Sequence, residues 1–229
     1  MSAQPNSAED RPARRGGRPV MGARWVQPLL LAVLVSLLAA IGVVLLTGAG
    51  SGTAGSDAAG SSPFDGPTLP PHLPAAGFSL VDQNGHRVNL SWYRGRVVVL
   101  TFIHSLCHDT CPFMVEQIKG ALNDLPDDGA GVPTIGVSVA PAEDTPANRR
   151  WFLAKHEMGT RLAFVSGPVA ELQRVWHAYA IQPVTPKIDH STFVMLIDKR
   201  GYERVGFPAD QLTPEGLAHD IRVLQREKA

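Results

Sequence analysis

The two cysteines of the chain stand four positions apart in "HSLCHDTCP", residues 104–112. Cys107 and Cys111 enclose His108, Asp109 and Thr110, and Pro112 follows directly. Sulfurs at this spacing allow a structural disulfide, a dithiol redox couple or a metal clamp. A cross-link over so short a loop restricts the unfolded chain little, so it is a weak staple. On an ideal helix a four-residue step separates Cα atoms by about 6 Å, which suits either a disulfide or two sulfurs sharing one ion. C-x-x-C is the commoner pure redox spacing. The extra residue loosens the loop and tilts the reading towards metal, with redox left open.

Pro112 is favoured at a first helical position, where its missing N–H costs nothing. That predicts a helix from Pro112 with Cys111 at its cap. The orphan N–H groups and the helix dipole would then favour the thiolate, the form that attacks disulfides or binds metal. A third ligand is offered by His190 in "KIDHSTFVML", just ahead of an apolar run. The plain alternative for His190 is a loop histidine bonded to backbone. Two thiolates and one imidazole form a soft three-coordinate set that suits Cu(I). A structural zinc site would want a fourth ligand, which His108 or Asp109 could supply. His104 reads as a structural histidine and His108 as an exposed one. Met114 and Met195 read as core.

The elements that must position these residues alternate along the chain. "FSLVDQNGHRVNL" predicts a hairpin turning at Asn84-Gly85. "VVVLTFI" (97–103) and "PTIGVSV" (133–139) are continuous apolar runs, expected as strands buried on both faces. Val115, Ile118, Leu122 and Leu125 mark the inner face of the helix after the cysteines. Thr145-Pro146 and Thr213-Pro214 are cap and first-turn pairs that open two further helices. Val169, Leu172, Trp176 and Tyr179 share another helical face, and "TFVMLID" (192–198) is a further strand. Strands alternating with helices of ten to fifteen residues imply a mixed sheet covered on both faces. The cysteine loop would leave the C-terminal end of a central strand, where open α/β sheets gather their sites.

Upstream, residues 29–46 carry no charge, and with flanking residues they reach the roughly 20 positions that span a bilayer. Arg11, Arg14, Arg15, Arg18 and Arg24 precede this run, against only Glu9 and Asp10. The expected order is a basic cytoplasmic N-terminus (1–25), a transmembrane signal anchor (26–47) and a Gly/Ser/Pro-rich flexible linker (48–75). A folded domain (76–229) would follow on the exocytoplasmic side, periplasmic or extracellular. A cleaved signal peptide is the alternative to the anchor. Both place the cysteines in an oxidising compartment. With 21 basic and 21 acidic side chains, nothing supports nucleic acid as a partner.

The pattern "FSLVDQNGHRVNL…RGRVVVLTFIHSLCHDTCP…VSVAPAEDTP…DHSTFVMLIDKRG" resembles the Sco family of membrane-anchored copper chaperones for cytochrome c oxidase assembly. The resemblance covers about Phe78 to Leu224. It implies a thioredoxin-like fold with an added N-terminal hairpin, copper as Cu(I) with Cu(II) as a second state, and Cys107, Cys111 and His190 as its ligands. It also makes Asp109 the family's aspartate between the cysteines, and the copper-bearing subunit of cytochrome c oxidase the partner. Ala140 and Glu143 depart from the aspartate and arginine frequent in the family, and the stretch 181–190 is short and lacks the usual aromatic. The competing function is a thiol–disulfide oxidoreductase keeping client cysteines reduced, with Cys107 as nucleophile and Cys111 as resolver.

Overall fold

A computed structural model describes residues 32, 34–36, 62–183 and 193–229. The predicted N-terminal segment 1–25, nearly all of the predicted anchor 26–47, most of the predicted linker, and His190 lie outside the described residues. Among the described residues no helix is long and apolar enough to cross a membrane. The chain divides into two units at Gly60/Ser61, and the second contains both cysteines.

The centre of this second unit is a six-stranded mixed sheet, in the order β1-β8-β7-β4-β5-β6. The strands are β1 (Thr68–Pro74), β4 (Val98–Ile103), β5 (Thr134–Ser138), β6 (Ala163–Val165), β7 (Phe193–Ile197) and β8 (Tyr202–Pro208). β4, β5 and β6 run parallel, and β7 and β8 return antiparallel. The continuous apolar run of β4 has the cause anticipated: every residue from Val98 to Ile103 is buried. Val99 and Ile103 enter one core, and Val98, Leu100 and Phe102 the other.

Against the first core pack α1 (Thr110–Asn123), α2 (Pro146–Lys155) and α4 (Pro214–Arg226). Leu217, Ile221 and Leu224 of α4 are wholly buried, each stabilising by about 1.5–3 kcal/mol. Against the second core pack α3 (Val169–Ala178) and the hairpin of β2 (Ser79–Val81) and β3 (Arg87–Asn89). The Thr-Pro signals resolve as expected. Thr145 and Thr213 cap α2 and α4 by accepting from the N–H groups of Asn148 and Gly216.

Three expectations are corrected. The Pro-rich end of the predicted linker folds: Thr68–Pro74 is an edge strand on β8. Its prolines are tolerated because only one side needs ladder bonds, and a register shift between Thr68 and Leu73 absorbs the misfit. Just ahead of it, the fully buried Asp220 carboxylate accepts from the N–H groups of Asp65 and Gly66, at 2.8 and 2.9 Å. Gly66 is required there, because a Cβ would meet the Phe207 ring at 2.4 Å. Second, the hairpin turn is wider than two residues. The last strand pair is Val81–Arg87, and Asp82 Oδ1 accepts from the N–H groups of Asn84 and His86. Gly85 supplies the positive φ of +90°. Third, Val169 opens α3 but is exposed, so its inner face is Leu172, Val175 and Trp176.

Glu203 of β8 carries a testable cost. It is 5% exposed, and burial alone raises its carboxyl from 4.5 to about 7. Between those values the folded chain keeps a proton that the unfolded chain has released. Stability is therefore fully present below pH 4.5 and is lost as pH rises towards 7, by up to about 3 kcal/mol. In Glu203→Gln, thermal unfolding followed against pH should lose this slope, and the variant should melt higher than the parent at about pH 8.

Candidate metal and dithiol site

The site is built where β4 ends and α1 begins. The Ile103 carbonyl accepts from the Val139 N–H at 3.1 Å, and the His104 carbonyl from the Cys107 N–H at 3.2 Å. This tight turn sets Cys107 half-buried at the mouth and sends the chain into α1. Cys111 is wholly buried within the first core, beside Met114 and Val115 of the same helix. No disulfide joins the sulfurs. The two thiols share a hydrogen bond, and Cys111 Sγ also accepts from the His104 N–H at 3.5 Å.

This corrects the expected helix start. Asp109 occupies the N-cap, although its side chain makes no capping bond. Cys111 therefore lies inside the first turn, and Pro112 is one position beyond it. The electrostatic expectation for Cys111 reverses as well. Its hydrogen bond to Cys107, then its burial, push the Cys111 thiol far above the ordinary cysteine value, and the His104 N–H offsets only part of this. Both effects disfavour the bare Cys111 thiolate, and by exposure the sulfur open to attack or exchange is Cys107.

A buried carboxylate that sequence reasoning passed over fixes the turn. Asp144, 2% exposed, accepts from the Ser105 N–H at 2.7 Å, the Ser138 hydroxyl at 2.6 Å and the Ala140 N–H at 3.3 Å. It thereby bolts the first residues of the cysteine loop to the end of β5. Trp176 Nε1 donates to the Ser138 carbonyl at 2.9 Å, which ties α3 into the same junction. The available signal was position: Asp144 stands directly before the Thr145 cap, at a strand end. His104 is structural, as read. Its Nε2 lies 2.9 Å from Glu143 Oε2. His108 is exposed. Met114 and Met195 are core residues.

Among the described residues, no third histidine, cysteine or carboxylate converges with the two sulfurs. The cluster that does converge is Asp65, His219 and Asp220, where Asp220 already serves two backbone N–H groups. His108 and Asp109 are thus not gathered with both cysteines into the ligand set that zinc would want. Phe193, at the start of β7, borders the same shallow depression as Asp109 and Thr110. β7 runs antiparallel beside β4, with Val194 opposite Thr101, so it begins at the sheet end that carries the cysteine loop.

Residues 68–226 match the SCO1/SenC family model. The chain belongs to the SCO1/SenC family. Protein sco1 of Schizosaccharomyces pombe is 27% identical over 136 residues, which cover 54% of this chain and 51% of that protein. The chain spans about half to two thirds of the length of the first curated relatives it matches. Among solved structures, Bradyrhizobium japonicum ScoI with copper bound is 29% identical with a TM-score of 0.58, covering 66% of this chain and 99% of that one. BsSco, a Sco protein of cytochrome c oxidase assembly in which a disulfide switch was identified, gives a TM-score of 0.61 at 21% identity. That match covers 71% of this chain and 99% of BsSco. The α/β fold of this SCO1/SenC chain, a mixed sheet with flanking helices and a small hairpin, is accordingly thioredoxin-like.

Proposed function

We propose that this chain is a copper carrier that holds one ion through Cys107, Cys111 and His190 and hands it to the copper-bearing subunit of cytochrome c oxidase. The observation that carries this reading is the pair of hydrogen-bonded thiols at the β4–α1 junction, one buried and one half-buried. Thiolates select Cu(I), and the copper-bound B. japonicum ScoI is a relative of this chain. His190 lies three residues ahead of Phe193, at most about 10 Å of extended chain. Phe193 borders the depression beside Asp109 and Thr110, which supports the imidazole at 190 as the third donor. Delivery on the exocytoplasmic side by a domain held on an N-terminal anchor (26–47) and a linker completes the proposal. The uncharged run of residues 29–46 and the arginines before it support that arrangement.

The thiol contact supports a second activity. Cys107 as thiolate attacks a client disulfide and forms a mixed disulfide while releasing one client thiol. Cys111 then displaces the other, leaving a Cys107–Cys111 disulfide and a client reduced by two electrons. Metal loading separates the readings. The reduced protein, titrated anaerobically with Cu(I), should retain one equivalent against a competing chelator, and zinc should not displace it. A protein that reduces disulfides yet retains no copper belongs to the second class.

A further inference from the structure

Beside the cysteine loop the surface is apolar where a lone soluble domain would be polar. Phe113, in the first turns of α1, is 45% exposed, and Leu106, next to Cys107, is 38% exposed. Phe113 forms a shallow depression with Phe193, Pro208 and Ala209. Asp109 and Asp210 close its rim, and among the described residues no lysine or arginine lines it. The Asp109 side chain is not engaged in capping α1, so its carboxylate is available to an incoming group. The exposed ring of Trp151 has cationic cover from Lys155; the rim of this depression is anionic instead.

We infer that this depression is the docking surface for the partner that exchanges with Cys107, and that it takes a cysteine-bearing segment presenting an apolar side chain beside a basic one. The inference rests on reading Cys107 as the exchanging atom. Cys111 is sealed in the core, so a partner sulfur can meet the site only at Cys107. A segment seated there covers Leu106 and Phe113 as a consequence of the approach. Burying those side chains favours an apolar neighbour to the partner's cysteine, and the carboxylates of Asp109 and Asp210, the only charged groups among the described lining residues, favour a lysine or arginine.

The test uses two synthetic single-cysteine peptides, alike except that one carries Leu and Lys beside the cysteine and the other Ser and Glu. Each cysteine is activated as a mixed disulfide with 2-thiopyridine. Cys107 thiolate attacks the peptide sulfur, the bond to the pyridine sulfur breaks, and the released thione is followed by its absorbance. The full-length reduced protein should react about tenfold faster with the Leu/Lys peptide at low salt, and added salt should shrink the preference. Phe113→Ser should lose the apolar share of it and Asp210→Lys the charge share. Both variants should react at parental rate with 2,2′-dithiodipyridine, which reports that fold and thiol are intact. Equal peptide rates in the parent, or a preference unchanged in both variants, would overturn the inference. Copper retention, measured in parallel, keeps the two readings apart. Peptide preference without retention removes the copper assignment and keeps the surface; retention without preference does the opposite.

Discussion

His190→Ala is expected to lower Cu(I) retention by at least about a hundredfold while leaving disulfide reductase activity within about twofold. Loss of an outer-shell partner of a metal ligand already costs about 10–100-fold, so loss of a ligand should reach at least the top of that range. The residue is remote in sequence from the cysteines and adjoins a strand, β7, whose start borders their loop. Alanine there removes the imidazole donor. Chelator competition measures the first quantity, and insulin turbidity or a fluorescent disulfide substrate the second. Unchanged copper retention would strike His190 from the ligand set. A collapse of reductase activity with retained copper would assign the imidazole to proton transfer.

The second large effect is expected at Asp144. Asp144→Ala strands the Ser105 and Ala140 N–H groups and the Ser138 hydroxyl in a buried junction. Unsatisfied buried donors cost about 1–3 kcal/mol each, and partial relaxation leaves an expected loss of about 3–5 kcal/mol. Asp144→Asn should cost less. It keeps one acceptor oxygen, and the Ser138 hydroxyl can turn to accept, so only the Ala140 N–H loses its partner. Urea unfolding orders the three proteins. The site supplies a second readout: with Ser105 released, the turn carrying Cys107 loosens, and copper retention should fall in Asp144→Ala even below its unfolding transition. A variant within about 1 kcal/mol of the parent would show that the junction is held by packing.

Much of this was legible because the informative residues act locally. Six consecutive buried positions mark a strand covered on both faces, and β4 is one. Thr-Pro pairs fix helix starts through a hydroxyl and a preset φ, as they do in α2 and α4. What escaped depends on distant partners. β1 was hidden by its prolines, which argue against a strand unless an edge is known to be free, and that edge is β8, far along the chain. The role of Asp144 needs the ends of β4 and β5 side by side, which no local window contains. The thiolate expectation for Cys111 used the helix terminus and neglected depth. Inside the first turn of α1 the sulfur is enclosed by core side chains, and the hydrogen bond to the neighbouring thiol, then desolvation, outweigh the His104 N–H. For His190 the sequence offered a donor type and a position ahead of a strand, and the described residues add where that strand begins.

The depth of Cys111 also bears on how a damaged molecule would be handled. Burial shields its sulfur from peroxide in the closed fold, but oxidation past the sulfenic stage during an opening of α1 would return a permanently charged sulfinate to Met114, Val115 and Ile118, side chains with no access to water. A core of that kind cannot hold a bare anion, so such a chain would loosen around α1 and become a substrate for proteases. Irreversible oxidation and loss of the molecule are thereby coupled, and an inactivated copy does not persist to occupy the partner's binding face.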